Sequence, residues 1–191
     1  MNHLMKSVLR PVIRQNLACI SSTTSSSTTN ENTKRMFDMV KNIKFGMLTT
    51  IEDDNSLRSR PMASKQADQF DGTLWFFTNK SSHKVDEMKK NIGRVNVSYS
   101  DISKQNYVSL SGRADIIEDK NKMKSLWTPY LKAFFPKGLD DDDLALLKIT
   151  VDYAEYWDGP SNKMTQAYGM IKAYVTGDAS SMGENKKVNV Q

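Results

Sequence analysis

Apolar and polar residues change period several times along this chain, and the changes divide it into elements. Met36, Phe37, Met39, Val40 and Ile43 fall on overlapping helical faces, which predicts a short helix after Asn32. Phe45 to Ile51 and Leu57 to Ala63 flank the turn-like Glu52-Asp53-Asp54-Asn55, a hairpin pattern in which Pro61 marks a strand edge or a bulge. Asp71-Gly72 hands over to a strand over Thr73 to Thr78, and its apolar run Trp75-Phe76-Phe77 reads as buried. The run stops at small polar residues and turns basic. A helix over residues 82–91 follows, with Val85, Met88 and Ile92 at helical spacing and Ser81 or Ser82 as its capping hydroxyl.

Gly93 opens a strand over Arg94 to Tyr99 with period-two alternation, and Tyr107 to Ala114 alternates as well. From Glu118 the period returns to that of a helix, carried by Met123, Leu126, Trp127, Tyr130, Leu131 and Phe134, with Pro129 kinking or dividing it. Asp140 to Asp143 read as the acidic start of another helix, with Leu144, Leu146 and Leu147 as its body. Lys148 to Trp157 form a last long strand, stopped by Asp158-Gly159-Pro160. Met164, Tyr168, Ile171 and Val175 make a helical stripe that Gly177 ends, and residues 178–191 read as a flexible polar tail. Six strands in a meander-like order, with no regular βαβ series, predict a mainly β fold with peripheral helices. A small closed or nearly closed barrel is the natural solution, because closure removes strand edges.

Charge and cysteine usage narrow the chemistry. The chain has 191 residues and a net charge of +5, but residues 1–35 carry +4 of it, so the body is close to neutral and has no basic stripe for nucleic acid. The first thirty residues contain no acid and combine Lys6, Arg10 and Arg14 with Leu4, Val8, Leu9, Val12, Ile13 and Leu17 before a Ser/Thr run. That is the composition of a mitochondrial transit peptide, or of a disordered tail on a cytoplasmic protein, and it sets residues 1–32 apart from a domain over residues 33–177. No apolar run approaches the ~20 residues that cross a bilayer, so no membrane insertion is expected. The only cysteine is Cys19 and the only histidine in the body is His83, which leaves no thiolate metal set and no thiol catalysis there. The acidic run at 140–143 lacks the alternating ligands of a calcium loop, and no metal site is expected from it.

The strand-to-helix junction Thr78-Asn79-Lys80-Ser81-Ser82-His83-Lys84 is the segment that invites an anion. A helix start presents free N–H groups and the positive end of the dipole, and Ser82, His83 and Lys84 add donors suited to a phosphate. The same residues also make an ordinary capped helix with solvated charges.

In this order, Arg58-Ser59-Arg60-Pro61-Met62, the junction from Phe76 to Lys84, Tyr107 to Ala114 with Gly112, and Tyr156 to Pro160 followed by Val175-Thr176-Gly177 carry a resemblance. The chain resembles the pyridoxamine 5′-phosphate oxidase-like FMN-binding split-barrel family, and within it the general stress protein 26 group, from about Met36 to Gly177. The resemblance implies a split β-barrel with flanking helices, an FMN cofactor and a homodimer. It implies that Arg60 and Lys65, with Arg58 on the same strand, approach the FMN phosphate and ring, that Phe77 and Thr78 line the isoalloxazine edge, and that Ser82, His83 and Lys84 clamp the phosphate. His83 stands where the family has arginine, which makes the clamp weaker and sensitive to pH. Tyr107 occupies the place of a flavin-contacting glutamine, with Gln105 two residues away, and Trp157 is expected near the cofactor across the dimer interface or else in the core.

The resemblance also subtracts. The oxidases that make pyridoxal phosphate end in a tryptophan and paired arginines, and this chain ends in Ser180-Ser181-Met182-Gly183-Glu184-Asn185-Lys186-Lys187 without them. Vitamin B6 oxidation is therefore not expected. The expected functions are a flavin-dependent oxidoreductase acting on an unidentified small molecule and, as the alternative, a non-catalytic protein that sequesters FMN under stress. Deazaflavin or haem in place of FMN is a third reading.

Overall fold

The structure is a computed structural model, and it describes residues 23–64, 70–160, 163–178, 180 and 183–190. Lys65 and the acid-free leader up to residue 22 lie outside these. The elements are α1 (Thr23–Asn42), β1 (Phe45–Ile51), β2 (Leu57–Ala63), β3 (Thr73–Asn79), α2 (His83–Lys90), β4 (Arg94–Asp101), β5 (Asn106–Ile117), α3 (Lys120–Leu126), β6 (Leu144–Asp158), α4 (Lys163–Thr176) and β7 (Glu184–Asn189). The strands form one antiparallel sheet with the path β2-β1-β4-β5-β6-β3. The sheet curls so that its two ends, β2 and β3, lie close to each other without pairing. This is a split barrel with helices around it, the mainly β architecture that the strand pattern predicts.

β6 is the frame. Its long span pairs with β5 along one edge, while the other edge takes β3 over Leu144–Thr150 and then β7 over Tyr153–Asp158. The inside of the curl is filled by Leu48, Leu74, Phe76, Val97, Leu110, Leu147, Ile149 and Tyr156, closed by Met36, Phe37 and Val40 of α1. A second core lies on the other side of β3 and β6. There Trp75, Phe77, Leu144 and Leu146 pack against Met123 of α3 and Leu131 of the 3₁₀ turn Pro129–Ala133. Two cores explain why Trp75-Phe76-Phe77 lacks alternation: each face of β3 is buried.

Several boundaries differ from the sequence reading. α1 extends back to Thr23, inside the segment expected to stand apart from the domain. Pro129 divides the predicted long helix into α3 and the 3₁₀ turn. The acidic run starts no helix: Leu144, Leu146 and Leu147 are buried in β6, because both faces of the strand have a core to fill. The expected loose tail contains β7, whose Val188 is buried against β6. The stripe on α4 is exposed, with Tyr168 at 65%, Ile171 at 65% and Val175 at 74%.

β5 slips register against β6 between Ser111 and Gly112, and this bulge brings the backbones together. A Cβ on Gly112 would lie 2.1 Å from the Thr150 carbonyl oxygen, which is itself fixed in the sheet. Gly112→Ala is therefore expected to cost at least about 1–3 kcal/mol, the usual penalty of overpacking. Denaturant midpoints of the two proteins check this, and a variant as stable as the parent would contradict the close approach.

Candidate functional site

The junction between β3 and α2 is fixed by two short-range anchors. Asp143 accepts from the Ser81 backbone N–H at 2.9 Å and from the Ser81 hydroxyl at 2.6 Å, so the last acid of the run holds the turn. These hydrogen bonds from Ser81 keep the Asp143 carboxyl below the usual range. Ser82 occupies the N-cap position, but its hydroxyl donates back to the Asn79 carbonyl at 2.7 Å and makes no cap bond. The Thr78 hydroxyl is buried 3.4 Å from that of Ser82.

From this turn α2 enters with His83, Lys84 and Glu87 facing the β1–β2 hairpin. Glu87 is 1% exposed, and its Oε2 accepts from Arg60 Nη2 at 2.9 Å and from the Thr50 hydroxyl, which in turn accepts from Arg60 Nη1. Burial pushes the Glu87 carboxyl up, but the hydrogen bonds from Thr50 and Arg60 and the charges of Arg60 and His83 outweigh it and hold it low. His83 Nε2 lies 3.3 Å from Glu52 Oε2 and 3.5 Å from Glu87 Oε1. Arg58 is exposed and pairs with Glu52 Oε1 at 3.1 Å. Lys84 is half-buried: desolvation and the nearby Arg60 charge depress its ammonium below the ordinary lysine range, with Glu87 opposing.

The predicted site residues therefore fall into separate groups. Arg58, Arg60, Thr78, Ser82, His83 and Lys84 gather around the start of α2. Phe77 is a core residue, its ring meeting Trp127 edge-on at 5.4 Å and Phe135 at 6.2 Å. Tyr107 and Trp157 face each other across β5 and β6, half-exposed at 40% and 39%. They stand on the outer face of the sheet, since their neighbours Val108 and Tyr156 point inward. Arg60, cross-strand from the buried Leu48, is on the inner face. Sequence reasoning missed Thr50, Glu52 and Glu87. The spacing of His83 and Glu87, four apart on one helix, was the available signal.

With this geometry in place, the family can be read. The sequence profile described as pyridoxamine 5′-phosphate oxidase like matches residues 31–181. The chain belongs to that family. A structure from Jannaschia sp. CCS1, provisionally assigned to general stress protein 26, superposes with a TM-score of 0.67 at 24% identity, covering 84% of this chain and 99% of that one. The general stress FMN/FAD binding protein of Xanthomonas citri is similar at 28% identity with a TM-score of 0.57, over 68% of this chain and 89% of its own. Among curated proteins, bli-3 of Neurospora crassa is 25% identical over 157 residues, 78% of this chain and 75% of its length. The family is thus a split-barrel one that includes FMN/FAD-binding stress proteins.

Glu87 is the buried charge of this cluster, so its removal is expected to have a large structural consequence. Glu87→Ala leaves the Arg60 guanidinium, 18% exposed, without its carboxylate. Breaking a buried ion pair from one side costs about 3–5 kcal/mol, and the partial exposure of Arg60 puts the expected loss at the lower end. Urea unfolding measures it, and a loss below about 1 kcal/mol, the scale of a surface pair, would mean that the pair is solvated.

Proposed function

We propose that this protein binds FMN at the start of α2 and uses it as an oxidoreductase on a small molecule. The observation that carries the reading is Lys84: the fold holds its ammonium half-buried beside Arg60, and a phosphate dianion would relieve that repulsion. The N–H groups of the first turn of α2 add donors at the same end of the helix. Arg60 has five N–H donors, so its bonds to Glu87 and Thr50 still leave capacity for an anion. FMN, when bound, supplies the hydride chemistry; these side chains supply only binding and orientation. His83, turned to Glu52 and Glu87, is the weakest member of the clamp. A protein that merely sequesters FMN needs the same seat, and reduction of the loaded protein by NADH or NADPH separates the two functions.

The test rests on Lys84, because Arg60 also neutralises Glu87 and its loss would confound binding with stability. Lys84→Met should weaken FMN binding by about 1.5–3 kcal/mol, the value of a charge-assisted hydrogen bond, while leaving the flavin-free protein as stable or slightly more so. Fluorescence quenching of FMN and thermal melts read the two quantities. Unchanged affinity would remove Lys84 from the cofactor site.

We further infer a homodimer. Tyr107 and Trp157 lie on the opposite face of the sheet from Arg60, so one chain cannot bring both groups to one flavin. A second copy laid on the outer face can. That face exposes Phe45, Met47, Leu57, Tyr107, Tyr153 and Trp157 around the small polar Ser98, Ser109 and Ser111, and α4 leaves Tyr168, Ile171, Tyr174 and Val175 uncovered. Sedimentation should give twice the 21.7 kDa chain mass. Met47→Glu, harmless to a monomer at 41% exposure, should halve it. A wild-type protein that sediments as a single chain would overturn the dimer.

A further inference from the structure

We propose that Glu52, His83 and Glu87 form a binding site for one divalent first-row transition metal ion such as Zn²⁺, with a fourth position open to water or an anion. Among the described residues this is the one group of three His, Cys, Asp or Glu side chains whose ligand atoms converge, all within 4.8 Å of one another. The two spacings from His83 are those of a coordination shell. With metal–ligand bonds of about 2.0–2.2 Å, tetrahedral angles put neighbouring ligand atoms about 3.3–3.6 Å apart. His83 Nε2 stands 3.3 Å from Glu52 Oε2 and 3.5 Å from Glu87 Oε1.

The second observation is Glu87 itself. Its side chain is 1% exposed, and Oε1 is buried with no hydrogen-bond donor, although Oε2 takes both Thr50 and Arg60. A charged oxygen left unsatisfied in the interior is costly, and the His83 ring at 3.5 Å does not satisfy it by a hydrogen bond. A metal ion would. The outer partners are arranged accordingly: Arg60 and Thr50 hold Glu87 Oε2, and Arg58 holds Glu52 Oε1, so each carboxylate has one oxygen tied and the other turned to His83. Such outer-shell bonds orient the ligands of metal sites. His83 and Glu87 lie four apart on one helical face, and Glu52 comes from the turn after β1, so the site also ties α2 to the hairpin. One imidazole and two carboxylates suit Zn²⁺ and its neighbours in the series better than Ca²⁺ or Mg²⁺, which prefer oxygen alone.

This inference does not rest on the flavin reading, since none of the three ligands needs FMN to converge. The experiment uses the full chain, freed of flavin and treated with chelator, titrated with Co²⁺ followed by visible absorption and with Zn²⁺ by calorimetry. One ion per chain is expected, with the absorption of a four-coordinate Co²⁺ complex and a rise in melting temperature on adding metal. His83→Ala and Glu52→Gln change exposed or partly exposed side chains and should melt like the metal-free parent. Each should raise the dissociation constant by more than about 100-fold, since loss of even an outer-shell partner costs about 10–100-fold. Failure to bind either metal, or binding that His83→Ala leaves unchanged, overturns the site. A protein that takes the metal but stays colourless with FMN would refute the flavin reading and leave this one standing.

Discussion

The buried carboxylate of Glu87 is the constraint around which the start of α2 and the hairpin facing it are arranged. A charge removed from water must be matched, and Arg60 and Thr50, from the two arms of the hairpin, supply the match. The consequence is geometric: α2 can dock only with Glu87 inward, which sets His83 and Lys84 against the β1–β2 arms. The cluster at the start of α2 is therefore a product of one ion pair, and its cations are not equivalent. Arg60 is largely committed to structure, Arg58 is drawn outward to Glu52, and Lys84 keeps a charge that the fold has made expensive.

That division of labour separates what the sequence states from what it hides. The hairpin, the buried run Trp75-Phe76-Phe77 and the alternating strands β4 and β5 were legible because each carries its own period and its own turn residues. Leu144 to Leu147 were not: a strand buried on both faces has no alternation, and four preceding acids imitate a helix start. Asp143 is acidic for another reason, as the acceptor for Ser81 one strand away. β7 was hidden because Glu184 to Asn189 has almost no apolar pattern, and its pairing is set by the edge that β6 leaves beyond β3. The stripe on α4 was legible as a helix, but a stripe does not say whether its own chain covers it.

The site was legible as a segment and not as a network. Ser82, His83 and Lys84 announce themselves by lying together after a strand, whereas Glu87 and Thr50 are brought to Arg60 only by folding. The resemblance to the family supplied roles for Phe77 and Trp157 that the chain pattern alone did not: in the fold Phe77 packs in the second core, and Trp157 stands on the outer face beside Tyr107. Family membership fixes the barrel. It does not fix the chemistry, because the side chains that would act on a substrate are not among those the fold needs.

His83 is where the pattern implied by the resemblance and the local electrostatics part. An arginine there would add a permanent cation to the proposed phosphate seat, with its charge at the end of a long arm. A histidine is shorter and can offer a lone pair, and in this chain it faces two carboxylates at 3.3 and 3.5 Å. The two carboxylates beside an anion seat would by themselves oppose phosphate. A divalent ion held between them would reverse the local sign and favour an anion at Lys84 through charge, without contact. Cation and anion would then bind cooperatively at neighbouring positions, each lowering the electrostatic cost of the other. On this view the exchange of arginine for histidine moves the positive charge from a side chain to an ion, and the affinity for an anion becomes conditional on the metal.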